Sequence, residues 1–275
     1  MFPRMNDTIK ALTYGAIVLL LGIGFAFLPQ VNTLLYMMTP AIAALLMMFL
    51  VTGEGWRKPG WTSLGLFRFG WRGMLPALVI PLAIMLLSYG TVWLAGLADI
   101  HIPDQFGGYP WSCFPLILFA TFLGNIVTTS LGEELGWRGY WLPLLVRACG
   151  ERRAYLINGF IHGVWHLPII WLTGLYHSEQ APWYASLMIV LSCLALAPVI
   201  GRLRLRTDSV WPASVLHTAH NLSWNVLSGV TAAGSPLVYY ISGDNSLMIT
   251  LCYGMISLFI WARTGTARTS QSADR

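Results

Sequence analysis

Two adjacent carboxylates interrupt a long apolar stretch of the chain. Glu133 and Glu134 are followed by Arg138, and no other charged residue occurs between Asp104 and this cluster. Residues four apart share a helical face, so Glu134 and Arg138 are predicted to form a structural ion pair. Glu133 points about 100° away from its neighbour and is left without that partner. We therefore expect Glu133 to act as a base that takes a proton from water.

Four of the six histidines lie in two other apolar stretches. His162 and His166 are four residues apart, and so are His217 and Asn221, so each pair shares a helical face. His and Asn side chains can donate hydrogen bonds to a developing oxyanion. We predict that the catalytic residues include His166, His217 and Asn221 together with Glu133. His162 and His220 are further candidates for the same site.

Each of these residues also has a purely structural interpretation. Glu133 and Glu134 are solvated if they lie at the membrane surface, and Arg138 is then a simple interfacial anchor. A histidine within a membrane can simply form a hydrogen bond between two helices. Asn221, taken alone, would likewise have a role only in helix packing. A polar group that is costly to place in a bilayer is nevertheless a functional candidate by default.

The surrounding sequence is that of an integral membrane protein. The 275 residues are 56% hydrophobic and only 10% charged, whereas soluble domains carry about 25% charged residues. A spanning helix needs about 20 apolar residues. The composition predicts a single domain over 1–275, an all-α polytopic membrane helix bundle with about eight transmembrane helices, the first being a retained span. The apolar runs are 11–28, 34–51, 74–97, 113–131, 154–175, 183–200, 210–227 and 247–261.

The basic residues predict the orientation of this bundle. If the N-terminus is inside and eight spans alternate, all 16 Lys and Arg residues fall on the inner side, as the positive-inside rule requires. Asp99, Asp104, Glu179 and Asp244 fall on the outer side. We therefore predict a multi-pass protein of the plasma (inner) membrane with both termini cytoplasmic. The net charge of +5 then reflects topology, and no nucleic-acid partner is expected.

The motifs resemble those of a known family, the CPBP group of CAAX prenyl and bacteriocin-processing intramembrane proteases. That family carries EExxxR, FxxxH and HxxxN in this order. Here the first motif is Glu133, Glu134 and Arg138, the second ends at His166, and the third is His217 and Asn221. The resemblance covers about residues 112–228, the motif-bearing core. It implies an eight-helix bundle with a cavity open to the cytoplasmic side, in which Glu133 activates water and Glu134 and Arg138 give structural support.

One departure from the family pattern raises the question of a metal. His162 stands where the family has Phe, and two histidines four apart with a glutamate resemble a zinc ligand set. Any metal is expected on Glu133, His166 and His217. We favour a site without a cofactor, with zinc as the alternative, because relatives have an aromatic residue at this position. His162→Phe is then expected to keep most activity. Cys113, Cys149, Cys193 and Cys252 are widely separated and are expected to be packing residues.

The resemblance favours an intramembrane endopeptidase. Its partners are expected to be the lipid bilayer and a membrane protein or peptide substrate, either prenylated or bacteriocin-like. One alternative is a non-catalytic immunity or scaffold protein of the same fold. Another is a metal or proton transporter, since intramembrane His and Glu also build relays.

Overall fold

The chain is almost entirely helical, which confirms the predicted all-α membrane bundle. The computed structural model describes residues 5–28, 30, 32–176 and 179–271. The helices of the first half are α1 (Asp7–Ala26), α2 (Thr33–Leu46), α3 (Lys58–Ser63), α4 (Trp71–Leu94), α5 (Phe114–Val127), α6 (Thr129–Glu134) and α7 (Leu142–Cys149). Those of the second half are α8 (Glu151–Trp165), α9 (Leu167–Thr173), α10 (Pro182–Thr207), α11 (Trp211–Gly229), α12 (Leu237–Ile241) and α13 (Leu247–Gln271).

The long helices match the predicted membrane spans. Within the described residues, six helical segments are long and apolar enough to cross a membrane. Helices also form over the two remaining predicted runs, as α11 and α13. The histidines and asparagines of α11 lower its hydropathy, and the apolar part of α13 is the shorter segment Leu247–Arg263.

The fourth predicted span is longer and less regular than its sequence suggests. It continues from Trp111 to Cys149 as one helical segment. The backbone breaks at Thr128, with φ −118° and ψ −97°, and the segment Leu135–Trp141 that follows α6 is a π-helix. Such π-helical turns are frequent at functional sites. The short helix α6, which ends in the two glutamates, is thereby set off from the helices on either side.

Two hydrophobic cores lie on either side of α6. The first joins α1, α2, the π-helical segment, α7 and α8. The second joins α4, α10, α11 and α13, with Ile126 of α5 packed against it. Glycines let neighbouring helices approach closely: a Cβ on Gly136 would lie 2.3 Å from the Pro40 carbonyl oxygen of α2, and one on Gly163 would lie 2.6 Å from Val190 Cα of α10.

Ion pairs gather at one end of the bundle, which we call the basic end. Lys10 at the start of α1 contacts Glu54 at 2.5 Å, and Arg147 at the end of α7 contacts Asp7 at 2.7 Å. Arg68 also pairs with Asp208, beyond the end of α10, at 2.8 Å. The segments that the sequence assigns to the inner side therefore lie together in the structure.

The opposite end, which we call the distal end, carries the loops that follow α1, α4, α9 and α11. Two short antiparallel pairs lie there. Strand β1 (Ala98–Ile100) pairs with β4 (Thr231–Ala233), and β2 (Gln105–Phe106) pairs with β3 (Tyr109–Pro110). The first pair connects the loops that follow α4 and α11, and the second is a hairpin within the loop between α4 and α5.

Candidate active site

The three charged residues of the first motif lie inside the protein. Glu133 is 3% exposed, and Glu134 and Arg138 are 0% exposed. The interpretation of these glutamates as solvated surface groups is therefore wrong. A charged group that is buried in a membrane bundle needs an opposite charge or hydrogen bonds to offset its loss of solvation. Each of the three residues has such a partner.

Glu134 connects two elements of the site. Its Oε1 accepts a hydrogen bond from Arg138 Nη1 at 2.9 Å, so the ion pair expected from the i,i+4 spacing forms. The same oxygen lies 3.0 Å from His217 Nδ1 on α11. A carboxylate only accepts hydrogen bonds, so Nδ1 of His217 carries a proton. Glu134 therefore orients the imidazole of His217 as well as the guanidinium of Arg138.

Arg138 pairs with Glu134 and not with Glu133, as the spacing predicts, and Glu133 is held by a different residue. Its Oε2 lies 3.0 Å from His162 Nε2 on α8. His162 Nδ1 lies 3.5 Å from both terminal nitrogens of Arg138. Arginine only donates, so the arrangement favours the tautomer in which His162 accepts at Nδ1 and donates Nε2–H to Glu133. His162 therefore hydrogen-bonds to the Glu133 carboxylate. It does more than occupy the position at which the family has Phe.

His166 follows one helical turn after His162 and forms another wall of the site. Its Nδ1 lies 2.9 Å from the His162 carbonyl oxygen, so Nδ1–H donates to it. Its ring lies 5.1 Å from that of His162 and stacks on Tyr176 at 5.6 Å with an interplanar angle of 22°. The predicted common face of His162 and His166 is confirmed by these contacts.

The two remaining candidates on α11 behave differently from each other. His220 is held between two groups: Nδ1 lies 3.1 Å from the Tyr253 hydroxyl and Nε2 lies 3.0 Å from the Asp244 carbonyl oxygen. Both ring nitrogens of His220 thus serve contacts between α11 and the chain around α13. Asn221 instead lines both cavities that border Glu133.

Two adjoining cavities reach the carboxylates. The smaller, of about 50 Å³, is bordered by Glu133, Glu134 and the four histidines of the candidate set. The larger, of about 200 Å³, is bordered by Glu133, His166, His217 and Asn221 and extends to Thr33 and Asn225. The predicted site residues other than Arg138 therefore all line the smaller cavity, and the two adjoining cavities have room for water molecules.

The structure groups a different set of potential metal ligands from the one expected from the sequence. In a tetrahedral zinc site with bonds of 2.0–2.3 Å, neighbouring ligand atoms lie about 3.3–3.8 Å apart. Among the described residues, the group whose donor atoms come within 4.8 Å of one another is His162, His166 and Cys193, which differs from the expected set of Glu133, His166 and His217. Both ring nitrogens of His162 already have partners in Glu133 and Arg138.

The sequence did not indicate three further residues that lie at the site. Tyr176 donates its hydroxyl hydrogen to Asp244 Oδ2 at 2.9 Å, and both residues line the two cavities beside Glu133. Cys193 of α10 borders the smaller cavity. Tyr176 and Asp244 lie in loops, and Cys193 is not part of a recognisable sequence motif. Their place at the site is therefore apparent only from the structure.

Comparison with known proteins identifies the segment that carries this site. Residues 115–223 match the family model described as Type II CAAX prenyl endopeptidase Rce1-like. The chain is also 31% identical over 165 residues to CAAX prenyl protease 2 of Methanococcus maripaludis, which covers 56% of this chain. The chain spans about half the length of that curated relative, 54%. The resemblance to the CAAX prenyl protease and CPBP group is thus confirmed over the segment that holds the candidate site.

Proposed function

We propose that the chain is an intramembrane endopeptidase in which Glu133 activates water. The observation that carries the proposal is the position of Glu133, a buried carboxylate at the border of two cavities. Its Oε2 is held by His162, and in the part of the chain described by the structure no hydrogen bond from a protein group occupies Oε1. A carboxylate that is held through one oxygen at the border of a small cavity is suited to general-base catalysis.

The hydrolysis follows from the groups around this space. Glu133 takes one proton from water while the water oxygen attacks the carbonyl carbon of the scissile peptide bond. The negative charge that develops on the carbonyl oxygen is stabilised by hydrogen-bond donors, for which the Asn221 amide is the candidate. When the C–N bond breaks, Glu133 returns the proton to the leaving amine.

The histidines have separate roles in this mechanism. His217 Nδ1–H is committed to Glu134, so His217 donates from Nε2 to an oxyanion only as the doubly protonated imidazolium. His166 is fixed in the same way through the His162 carbonyl. The two rings border the space in which the substrate carbonyl would lie, on the side of the cavity facing α8 and α11.

The substrate is proposed to be a membrane-associated polypeptide. The relative is named a CAAX prenyl protease, so a prenylated C-terminus is one candidate, and a bacteriocin-like precursor is the other. The protein is proposed to lie in the plasma membrane with both termini cytoplasmic, which the gathering of ion-paired basic residues at one end supports. Catalysis is proposed to need no metal.

The proposal is tested by incubating the purified protein with candidate membrane peptides and detecting products by mass spectrometry. Glu133→Gln removes the base but keeps the shape, so the cleavage rate should fall at least about 10²–10⁴-fold. Asp104→Asn makes the same chemical change on the exposed loop after α4 and should leave the rate unchanged. Cleavage by the parent protein and by Glu133→Gln at equal rates would show that Glu133 is not the base, and no cleavage by the parent protein of any peptide would favour a non-catalytic member of the fold.

A further inference from the structure

Three side chains that commonly bind metals meet beside Glu133. His162 and His166 of α8 and Cys193 of α10 each place a donor atom within 4.8 Å of the other two. All three residues border the 50 Å³ cavity. His162 and Cys193 are 4% and 5% exposed, and His166 is half-buried. The cluster therefore lies inside the bundle, at a space that is large enough for one small ion.

The close packing of α8 on α10 brings these three donors together. A Cβ on Gly159 would lie 2.7 Å from the Cys193 carbonyl oxygen, and one on Gly163 would lie 2.6 Å from Val190 Cα. The two glycines lie four residues apart and so share one face of α8. They let the backbone of α10 approach closely, which places the Cys193 thiol within reach of the two histidines.

His166 is already oriented as a metal ligand would be. Its Nδ1–H donates to the His162 carbonyl oxygen at 2.9 Å, which leaves the lone pair of the neutral ring on Nε2. Metal-binding histidines commonly donate their other ring nitrogen to a backbone carbonyl, because that bond fixes the tautomer. Two imidazoles and the thiolate of Cys193, formed when the thiol gives up its proton to solvent, suit Zn²⁺ or Cd²⁺ and not Mg²⁺.

A cation at this cluster competes with the contacts that hold Glu133. His162 can bind the ion only through a nitrogen that now contacts Glu133 or Arg138, so one of these contacts is lost. The donor atoms must also draw together by about 1 Å to reach tetrahedral zinc geometry. The bound ion then lies in the small cavity beside the carboxylate, in the space that the attacking water would need.

We propose that His162, His166 and Cys193 bind a thiophilic divalent cation, with Zn²⁺ as the cellular candidate, and that the bound ion inhibits cleavage. The site is a property of this chain, since His162 stands where the family has Phe. The binding follows from the donor set alone, whereas the inhibition rests on the proposed peptidase function.

Metal titration of the EDTA-treated protein in detergent tests the binding. Zn²⁺, Cd²⁺ or Mg²⁺ is added, and the bound metal is counted by elemental analysis after gel filtration. We expect one Zn²⁺ or Cd²⁺ per chain and no Mg²⁺. Cys193→Ser should weaken binding at least about tenfold, since even the loss of an outer partner of a ligand costs about 10–100-fold. Cys252→Ser makes the same change at a buried cysteine of α13 outside the cluster and should leave binding unchanged.

A second measurement of binding needs no variant. Co²⁺ bound to the parent protein should give the charge-transfer absorption of a cobalt–thiolate bond, and Zn²⁺ should abolish it by displacement. Absence of this absorption, no stoichiometric binding of Zn²⁺ or Cd²⁺, or equal binding by the parent protein and Cys193→Ser would overturn the site. The melting temperature of each variant without metal shows whether it is folded.

The peptide cleavage assay tests the inhibition, with the rate of each variant before metal addition as its own reference. We expect Zn²⁺ and Cd²⁺ to lower the rate of the parent protein and of Cys252→Ser, and Cys193→Ser to need at least about tenfold more cation for the same loss. Binding without loss of rate, or a rate that falls with EDTA and returns with Zn²⁺, would overturn the inhibitory role. A parent protein that cleaves no peptide would contradict the proposed function alone, since the binding measurements still decide whether the site exists.

Discussion

At the residue scale, the two glutamates differ in the partners that hold them. Glu133 contacts His162, whereas Glu134 contacts both Arg138 and His217. The i,i+4 spacing predicts the pairing of Glu134 with Arg138 because both lie on one segment. It does not predict the contact with His217, since the relative rotation of α6 and α11 is set by packing. For the same reason, the spacing of residues along the chain does not predict the contact between Glu133 and His162.

Glu134→Gln should therefore affect stability and activity together. The substitution leaves the buried Arg138 without a charged partner, and breaking a buried pair costs about 3–5 kcal/mol. It also removes the carboxylate that orients His217. We expect a lower melting temperature in detergent and at least a tenfold lower cleavage rate, whereas Glu133→Gln should lose activity with a smaller change in melting temperature. Identical losses of stability in the two variants would contradict this division of roles.

The contacts of His162 reverse the expectation drawn from the family pattern. His162→Phe removes the donor that holds Glu133 Oε2, and hydrogen bonds to charged groups contribute about 1.5–3 kcal/mol. We expect its cleavage rate to fall by about 10- to 100-fold, which is the same free energy expressed as a rate. His162→Gln keeps an N–H donor and should retain more activity than His162→Phe. Metal content is measured in the same samples, and a stoichiometric metal lost with activity in His162→Phe would establish a metal site instead.

At the element scale, hydropathy predicted where helices form but not where they break. All eight apolar runs are helical, within a few residues of their predicted bounds at most ends. Hydropathy does not specify the backbone geometry at the break at Thr128 or over the π-helix Leu135–Trp141. Polar residues occur in both segments, but they do not distinguish a π-helix from an ordinary helical turn. Both α6 and the π-helical segment pack against α2, and α6 also packs against α11. They position Glu133 and Glu134, so the part of the candidate site hardest to predict is its local backbone.

The packing of α8 on α10 is a second determinant of the site. A Cβ on Gly163 would lie 2.6 Å from Val190 Cα, whereas a Cβ on Gly90 in α4 would meet no atom within 4 Å. Gly163→Ala should push α8, which carries His162 and His166, away from α10 and destabilise the protein by about 1–3 kcal/mol. Gly90→Ala should be neutral or stabilise by up to about 1 kcal/mol. Melting temperature and cleavage rate of both variants check this, and equal behaviour would show that the close approach is unimportant.

At the scale of the whole molecule, the site lies where the two hydrophobic cores meet. The π-helical segment and α8 belong to the first core, whereas α11 belongs to the second. The sequence predicts that the basic residues lie at one end of the bundle, because the membrane itself determines on which side charged residues are placed. It does not predict the division into two cores, which arises from the angles at which the helices cross. Glu133 and His162 lie close to Asn221 only if the two cores keep a fixed position relative to each other.

Hydroxyl contacts across this boundary provide the last test. Thr218 of α11 donates to Ser130 Oγ of α6 at 2.8 Å, and both side chains are buried. Thr218→Val keeps the shape but leaves the Ser130 hydroxyl without this partner, at a cost of about 0.6–2 kcal/mol for a hydrogen bond between membrane helices. Because α6 ends in the glutamates and α11 carries His217 and Asn221, the cleavage rate should fall severalfold as the melting temperature decreases. Thr91→Val is the matched control, since the Thr91 hydroxyl bonds the Leu87 carbonyl of its own helix, and it should change neither quantity measurably. If Thr218→Val also leaves both unchanged, the two cores keep their register without this contact, and the position of α6 is set by backbone packing alone.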